Sequence, residues 1–317
     1  MAEPQPHLYL VDGSSYIFRA YHRLPPLTNR HGTPAGAVYG YTAMLWKLAA
    51  GLEKADGPTH MAVILDASEE THRNKMYDQY KANRPPPPED LVPQFPLIRV
   101  ATRAFSIPCI EENGLEADDI IACYVKAATA AGWKVTIVSS DKDLMQLVED
   151  GKVDMLDTMN DRRIGVAEVV DKFGVGPEKV GDVLALMGDS VDNVPGVPGI
   201  GPKTASQLIQ QYGDLETVLA SVGEITKPKL KQNLTEHAEA ARLSRELVRL
   251  VCDAPLPEPI DGLALKGIPP EPLKAFLEGH GLQVVAQSPD RRRLHNWRTR
   301  LDRNCRHDVN GVATASS

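Results

Sequence analysis

The feature that most constrains this chain is a series of four short apolar runs, His7–Val11, His60–Leu65, Ile107–Ile110 and Lys134–Val138. Each has strand length and β-branched content, and each ends at a polar or acidic turn. Helical patterns lie between them, notably Ala35–Ala50 and Glu116–Ala131. That alternation predicts an α/β fold with a parallel sheet covered by helices. Ligands of such sheets bind at the carboxyl ends of the strands, and Asp12, Asp66 and Asp141 each stand just past such an end.

A lone aspartate after a strand is usually a turn or cap residue. Here the pattern recurs. Asp12 follows HLYLV, Asp66 follows MAVIL, Asp141 and Asp143 follow VTIVSS, and Glu116, Asp118 and Asp119 open the helix after Ile107–Ile110. On that helix Glu116 and Asp119 share a face at i and i+3, while Asp118 diverges from it. Acids also favour a helix N-terminus through its dipole, which accounts for one or two of the three. Carboxylates packed together repel one another unless cations neutralise them, and an oxygen-only ligand set favours Mg²⁺ or Mn²⁺ over zinc. Two such ions suit the in-line hydrolysis of a phosphodiester.

From about Val166 the pattern is helical, with Pro177–Met187, Pro202–Tyr212, Leu215–Ala220 and Glu236–Val251 as its clearest segments. Within it, Leu186–Ala205 reads helix, hairpin, helix. Gly199 and Gly201 allow close backbone approach to a phosphate, and Pro202 suits the first turn of a helix whose free N–H groups favour an anion. Such a segment grips a nucleic-acid backbone without reading bases. Its candidate contacts are Gly196, Gly199, Ile200, Gly201, Lys203 and Thr204, and Asp189 and Asp192 at its mouth extend the acidic set.

The formal charge of −7 looks unsuited to a nucleic-acid partner, since phosphates are met by Lys and Arg. Setting aside the nine carboxylates of the proposed metal site turns −7 into +2. The four cysteines, Cys109, Cys123, Cys252 and Cys305, are far apart and suggest neither zinc nor disulfides. The N-terminus does not read as a signal peptide, and no apolar run approaches membrane-spanning length, so a cytoplasmic protein without membrane contact is expected.

Taken in order, LVDGSSYIFRAYH, GAVYG at Gly36–Gly40, YKANRPPPPEDL, EADD, SSDKDL and MGDSVDNVPGVPGIGPKTA resemble the 5′-nuclease domain of bacterial DNA polymerase I, within the wider flap-endonuclease family. The likeness spans roughly Leu8 to Leu282. It implies a PIN-like core (1–170) with a helical arch at about 68–105, and a helix-hairpin-helix DNA-binding lobe (171–286). It also implies 5′→3′ exonuclease and 5′-flap endonuclease activity in repair and primer removal, on DNA with 5′ ends, flaps or nicks, by a monomer. A DNA-binding module without catalysis is the alternative.

The resemblance assigns two or more Mg²⁺ ions, replaceable by Mn²⁺, to Asp12, Asp66, Glu116, Asp118, Asp119, Asp141, Asp143, Asp189 and Asp192. It adds a K⁺ at the hairpin. Arg19, Lys81 and Arg84 match the basic residues that handle the scissile phosphate, with Lys81 and Arg84 expected on one helix face. Tyr77 and Tyr80 are candidates for stacking on an unpaired base. Thr71-His72-Arg73 stands where the family has Thr-Phe-Arg, and Leu115 replaces an aromatic before EADD. Both changes are expected to touch packing. The residues from 287 to 317, rich in Arg and poor in apolar side chains, read as a disordered basic tail, with no room for a polymerase domain.

Overall fold

A parallel strand covered on both faces must be apolar on both, and β1 (His7–Asp12), β2 (His60–Ile64) and the strand Lys134–Val138 meet that demand. Each is buried to its end after a half-buried first residue. The computed structural model describes residues 5–49, 57–67, 70–267 and 269–280. The expected tail lies outside them.

The third strand, β3, is only Cys109–Ile110 rather than Ile107–Ile110. Pro108 has no N–H for the ladder, and Ser106 turns into the left-handed region at φ 56°. Lys134–Val138 is β4, and two strands follow that the apolar runs do not announce, β5 (Val153–Asp157) and β6 (Arg162–Ile164). β5 alternates buried and half-buried residues, and its acids Asp154 and Asp157 break the apolar pattern. The sheet order is β3-β2-β1-β4-β5-β6, parallel except for β6. The order reverses between β1 and β4, so the crevice expected of such a sheet opens where Asp12 and the Ser139–Asp143 turn lie.

The α-helices are α1 (Gly13–Arg23), α2 (Gly36–Ala49), α3 (His72–Met76), α4 (Gln94–Ala104), α5 (Ala117–Ala130), α6 (Val166–Phe173), α7 (Pro177–Met187), α8 (Pro202–Tyr212), α9 (Leu215–Ala220), α10 (Pro228–Glu236), α11 (Ala238–Leu247) and α12 (Pro270–Gly279). The packing separates two units. The first comprises the described residues within Met1–Ser15, Asp56–Pro86 and Cys109–Ala264, and the second those within Tyr16–Ala55, Pro87–Pro108 and Leu265–Ser317.

In the first unit the sheet and α5 to α11 share a continuous apolar core. The centre of the helical part is α7, buried from Val180 to Leu186 and ended by Gly188 at φ +68°. The expected helix Glu236–Val251 is divided. His237 ends α10, α11 stops at Leu247, and the carbonyls of Leu247 and Arg249 instead accept hydrogen bonds from the Arg73 guanidinium, at 2.7 and 2.8 Å.

In the second unit α2 packs on α4. The Tyr41 hydroxyl meets Thr102 Oγ1 at 2.6 Å, and Val38 N–H donates to Gln94 Oε1 at 3.1 Å. Between α3 and α4 the chain forms turns and irregular backbone, consistent with four consecutive prolines that forbid a continuous helix. No helix among the described residues is long and apolar enough to cross a membrane.

Candidate active site

The carboxylates that end the strands are fixed by one another's supporting elements. Asp12 is 5% exposed and accepts hydrogen bonds from Ser15 N–H (3.0 Å) and Ser139 Oγ (2.8 Å), which joins the end of β1 to the turn after β4. Gly13 follows because a Cβ there would lie 2.6 Å from Val63 and from Leu65. Asp66 accepts from Ala117 N–H at 2.8 Å and from Ser14 Oγ at 2.6 Å, joining the end of β2 to the start of α5. Asp141 is exposed, and its Oδ1 accepts the Asp143 N–H at 2.9 Å.

Asp118, in the first turn of α5, completes the group. Burial, and then the charges of Asp141, Asp12 and Asp66, push its carboxyl well above the ordinary range. Burial also pushes Asp12 up to about 6, against the hydrogen bonds from Ser15 and Ser139, and Asp141 and Asp66 add to the rise. Asp143 is pushed up to about 7 by burial and by Asp141, with Lys142 opposing. Asp143 Oδ1 is buried without a hydrogen-bond partner.

These features are what a hard cation relieves: clustered carboxylates whose ionisation is resisted, an unpartnered buried oxygen, and donors that are all oxygen. Among the described residues no three His, Cys, Asp or Glu side chains form a closed ligand cage. The fit therefore rests on donor chemistry and mutual repulsion. Asp12, Asp118 and Asp143 satisfy it through the ionisation that burial and neighbouring acids resist, and Asp66 and Asp141 supply neighbouring charges and oxygen donors.

The remaining acids are already paired. Glu116 caps α5, and its carboxylate accepts from Lys81 Nζ (2.8 Å), Tyr80 hydroxyl (3.2 Å) and Thr71 Oγ1 (3.2 Å). Burial would raise its pKa, but Lys81 and Arg73 hold it below the usual value. Asp189 pairs with Lys142 and caps Val191 N–H at 2.7 Å, while Asp192 pairs with Arg84 and lies 3.9 Å from Lys81 Nζ.

Asp119 departs from the expected ligand set. It is fully buried, and its two oxygens receive the Arg73 fork at 2.7 and 2.8 Å, together with the N–H groups of Val251 and Glu116. Burial would raise its pKa, yet the Arg73 hydrogen bonds and charge hold it low. With both oxygens engaged by a buried guanidinium, Asp119 serves as an anchor for Arg73. Arg73 itself is missed by reading motifs for chemistry. Its signal is a lone arginine three residues beyond the acidic pair Glu69-Glu70, which spacing alone cannot pair with Asp119.

The basic candidates also differ from expectation. Lys81 and Arg84 do not share a helix face, because residues 78–84 form turns and Lys81 is left-handed at φ 57°. They meet instead around Asp192. Arg19 lies on α1 in the second unit, its guanidinium 5.9 Å from the Tyr16 ring centre. Tyr80 is 5% exposed and presents no face for base stacking, whereas Tyr77 is half-buried and packs against the core.

In the hairpin, Gly199, Gly201 and Lys203 are exposed and Thr204 is half-buried. Gly196 and Ile200 are internal, contrary to a contact role. Gly196 donates its N–H to Ser244 Oγ at 2.8 Å, and the Ile200 N–H is taken by Val197 O at 3.1 Å.

Comparison with known proteins matches this arrangement from residue 7 to residue 271. Residues 7–174 fit the 5′-3′ exonuclease N-terminal resolvase-like domain and residues 175–271 the 5′-3′ exonuclease C-terminal SAM fold. The chain belongs to the 5′-3′ exonuclease family.

Within that family, DNA polymerase I of Rhizobium leguminosarum is 57% identical over 264 residues, covering 82% of this chain and 26% of that protein. The 5′-3′ exonuclease of Aquifex aeolicus is 37% identical over 286 residues, covering 90% of this chain and 95% of that protein. The chain thus spans about a quarter of the Rhizobium polymerase and nearly all of the Aquifex exonuclease. Among solved structures, a bacteriophage T5 5′-exonuclease with bound zinc superposes with a TM-score of 0.63 at 24% identity, covering 86% of this chain and 98% of that one. That likeness places the fold, a parallel-sheet resolvase-like core with SAM-like helices.

Proposed function

We propose that this chain is a divalent-metal-dependent 5′ nuclease that hydrolyses DNA phosphodiesters at 5′ ends, nicks and flaps. The observation that carries the proposal is the convergence of Asp12, Asp66, Asp118 and Asp141 at the carboxyl edge of the sheet, where burial, and then the charges of Asp141 and Asp66, make Asp12 and Asp118 resist ionisation. With Asp143 they are the residues that would hold Mg²⁺, and Glu116, Asp189 and Asp192 border them. The ion supplies a lowered water pKa and charge stabilisation on the leaving oxygen.

The protein's own groups supply the rest. Lys81 and Arg84 place two cations beside the carboxylates, where a substrate phosphate can exchange for the Glu116 and Asp192 partners. Gly199, Gly201 and the first turn of α8 offer backbone approach and free N–H groups to a duplex phosphate, with Lys203 alongside. A K⁺ at that hairpin and a monomeric state belong to the same proposal. The named relatives support it: a T5 flap endonuclease structure is a complex with DNA and metal ions, and a Rad2 catalytic core holds a DNA substrate.

The test is cleavage of 5′-end-labelled flap DNA with Mg²⁺ and then with excess chelator. Release of labelled product only with Mg²⁺ supports the proposal. Binding without cleavage makes the chain a DNA-binding module, and no binding removes the nucleic-acid reading.

A further inference from the structure

Lys81 owes its placement to a loop more than a hundred residues away in sequence. Its backbone is left-handed at φ 57°, a conformation that a side chain with a Cβ adopts only when its surroundings impose it. The surroundings are the acidic loop after α7. Lys81 N–H donates to Asp192 O at 2.9 Å. On one side of that bond Asn193 Nδ2 donates to Gln79 O at 2.7 Å, and on the other Asn83 Nδ2 donates to Ser190 O at 2.7 Å. The Arg84–Asp192 ion pair closes the row. Asn193 is itself left-handed at φ 57°, which aims its amide back at the turn rather than along its own loop.

We infer that Asn193 and Asn83 are positioning residues that fasten the Lys81 turn to the Asp189–Asn193 loop, so that the Lys81 ammonium is delivered beside Glu116 and Asp192. Both side-chain amides donate to backbone carbonyls rather than to a carboxylate of the metal group. Their effect runs through the backbone of residues 79–83. The inference rests on the proposed role of Lys81 in cleavage, and it makes the loop that carries Asp189 and Asp192 the element that also sets the position of the cation opposite them.

The experiment is a double-mutant cycle in single-turnover cleavage of a 5′-flap DNA with saturating Mg²⁺. Glycine keeps the left-handed backbone of residue 193 while removing the amide, so Asn193→Gly is the main variant and Asn83→Ala the second. Each should fall about 10- to 100-fold in rate, the scale of a small misplacement of a reacting group, with flap-DNA affinity in Ca²⁺ and melting temperature near wild type. In a Lys81→Ala background, Asn193→Gly should cost less than about twofold more. A purely structural loss would persist there. Additive losses, or Lys81→Ala slowing cleavage while both asparagine variants stay at the wild-type rate, overturn the inference and leave the nuclease proposal standing. Wild-type cleavage by Lys81→Ala removes the role of Lys81 and the inference with it.

Discussion

Two neighbouring aspartates on one helix turn, Asp118 and Asp119, have opposite environments. A step of about 100° along α5 separates a carboxyl that other acids crowd from one that a buried arginine neutralises. Asp119→Asn should therefore act on stability: leaving the Arg73 guanidinium buried with half its partner charge costs about 3–5 kcal/mol, read as a lowered urea midpoint. The Mg²⁺ concentration for half-maximal cleavage by the folded fraction should stay near wild type. A large rise in that concentration with unchanged stability would make Asp119 a ligand. Lys81→Ala should slow single-turnover cleavage about 100-fold or more while changing DNA affinity only a few-fold. Equal losses would reduce Lys81 to an ordinary phosphate contact. His7 offers a prediction away from the site. Burial, then Lys134, lower its pKa to about 4, with Arg163 adding and Asp154 opposing. The folded state thus refuses a proton that the unfolded chain accepts near 6.5, and stability falls as pH drops from about 6.5 to 4. His7→Gln should lose less stability than wild type over that window, and parallel pH profiles would contradict the assignment. At this scale the type of the acidic residues was legible in the sequence. Their pairing was not, because Arg73 and Asp119 meet across 46 positions that no motif links.

Elements were more legible than contacts. β1, β2, β4, α5, α7, α8 and α9 stand where apolar periodicity and Gly or Pro boundaries place them, since local propensity and burial agree there. Agreement fails where a tertiary contact decides the backbone: α11 stops short because Arg73 and Asp119 take the backbone groups of Leu247, Arg249 and Val251, and the Lys81 turn is held by a distant loop. The hairpin before α8 shows the same division. All its glycines look alike in sequence, yet Gly196 is a packing position. A Cβ there would stand 2.5 Å from Gly188 N, at φ +61°. Gly196→Ala should therefore lower stability by about 2–4 kcal/mol by thermal or urea unfolding. Gly199 is exposed, and a Cβ would meet only Asn233 Nδ2 at 3.4 Å. Gly199→Phe, at φ +78°, should cost about 1–2 kcal/mol of backbone strain, leave the protein folded, and weaken duplex DNA binding more than single-strand binding. Equal weakening of both would show that the hairpin does not grip the duplex flank.

Across the molecule, a net charge of −7 and the proposed DNA substrate are compatible because the candidate metal-binding acids are gathered rather than spread. Neutralising them locally leaves the basic residues to meet phosphate. The doubly wound strand order supplies the crevice, and the family's two domain matches extend over the sheet and the helices that share its core. Fold class, acidic edge and hairpin were all visible from residue patterns. The internal ion pairs were not, because they depend on which side chains the fold brings together. The claim that joins these scales is that the clustered carboxylates are metal ligands and not turn caps, and Asp141 tests it best. Its Oδ1 caps the Asp143 N–H at 2.9 Å, a bond that asparagine can reproduce. Asp141→Asn therefore keeps the local structure and removes one charge. The measurement is single-turnover cleavage of a 5′-flap DNA across a Mg²⁺ titration, paired with DNA binding in Ca²⁺ and a melting curve. The account predicts a folded protein that binds flap DNA as well as wild type or better, and whose cleavage is abolished or recovered only in part at high Mg²⁺. Near wild-type cleavage by a folded Asp141→Asn protein would contradict it.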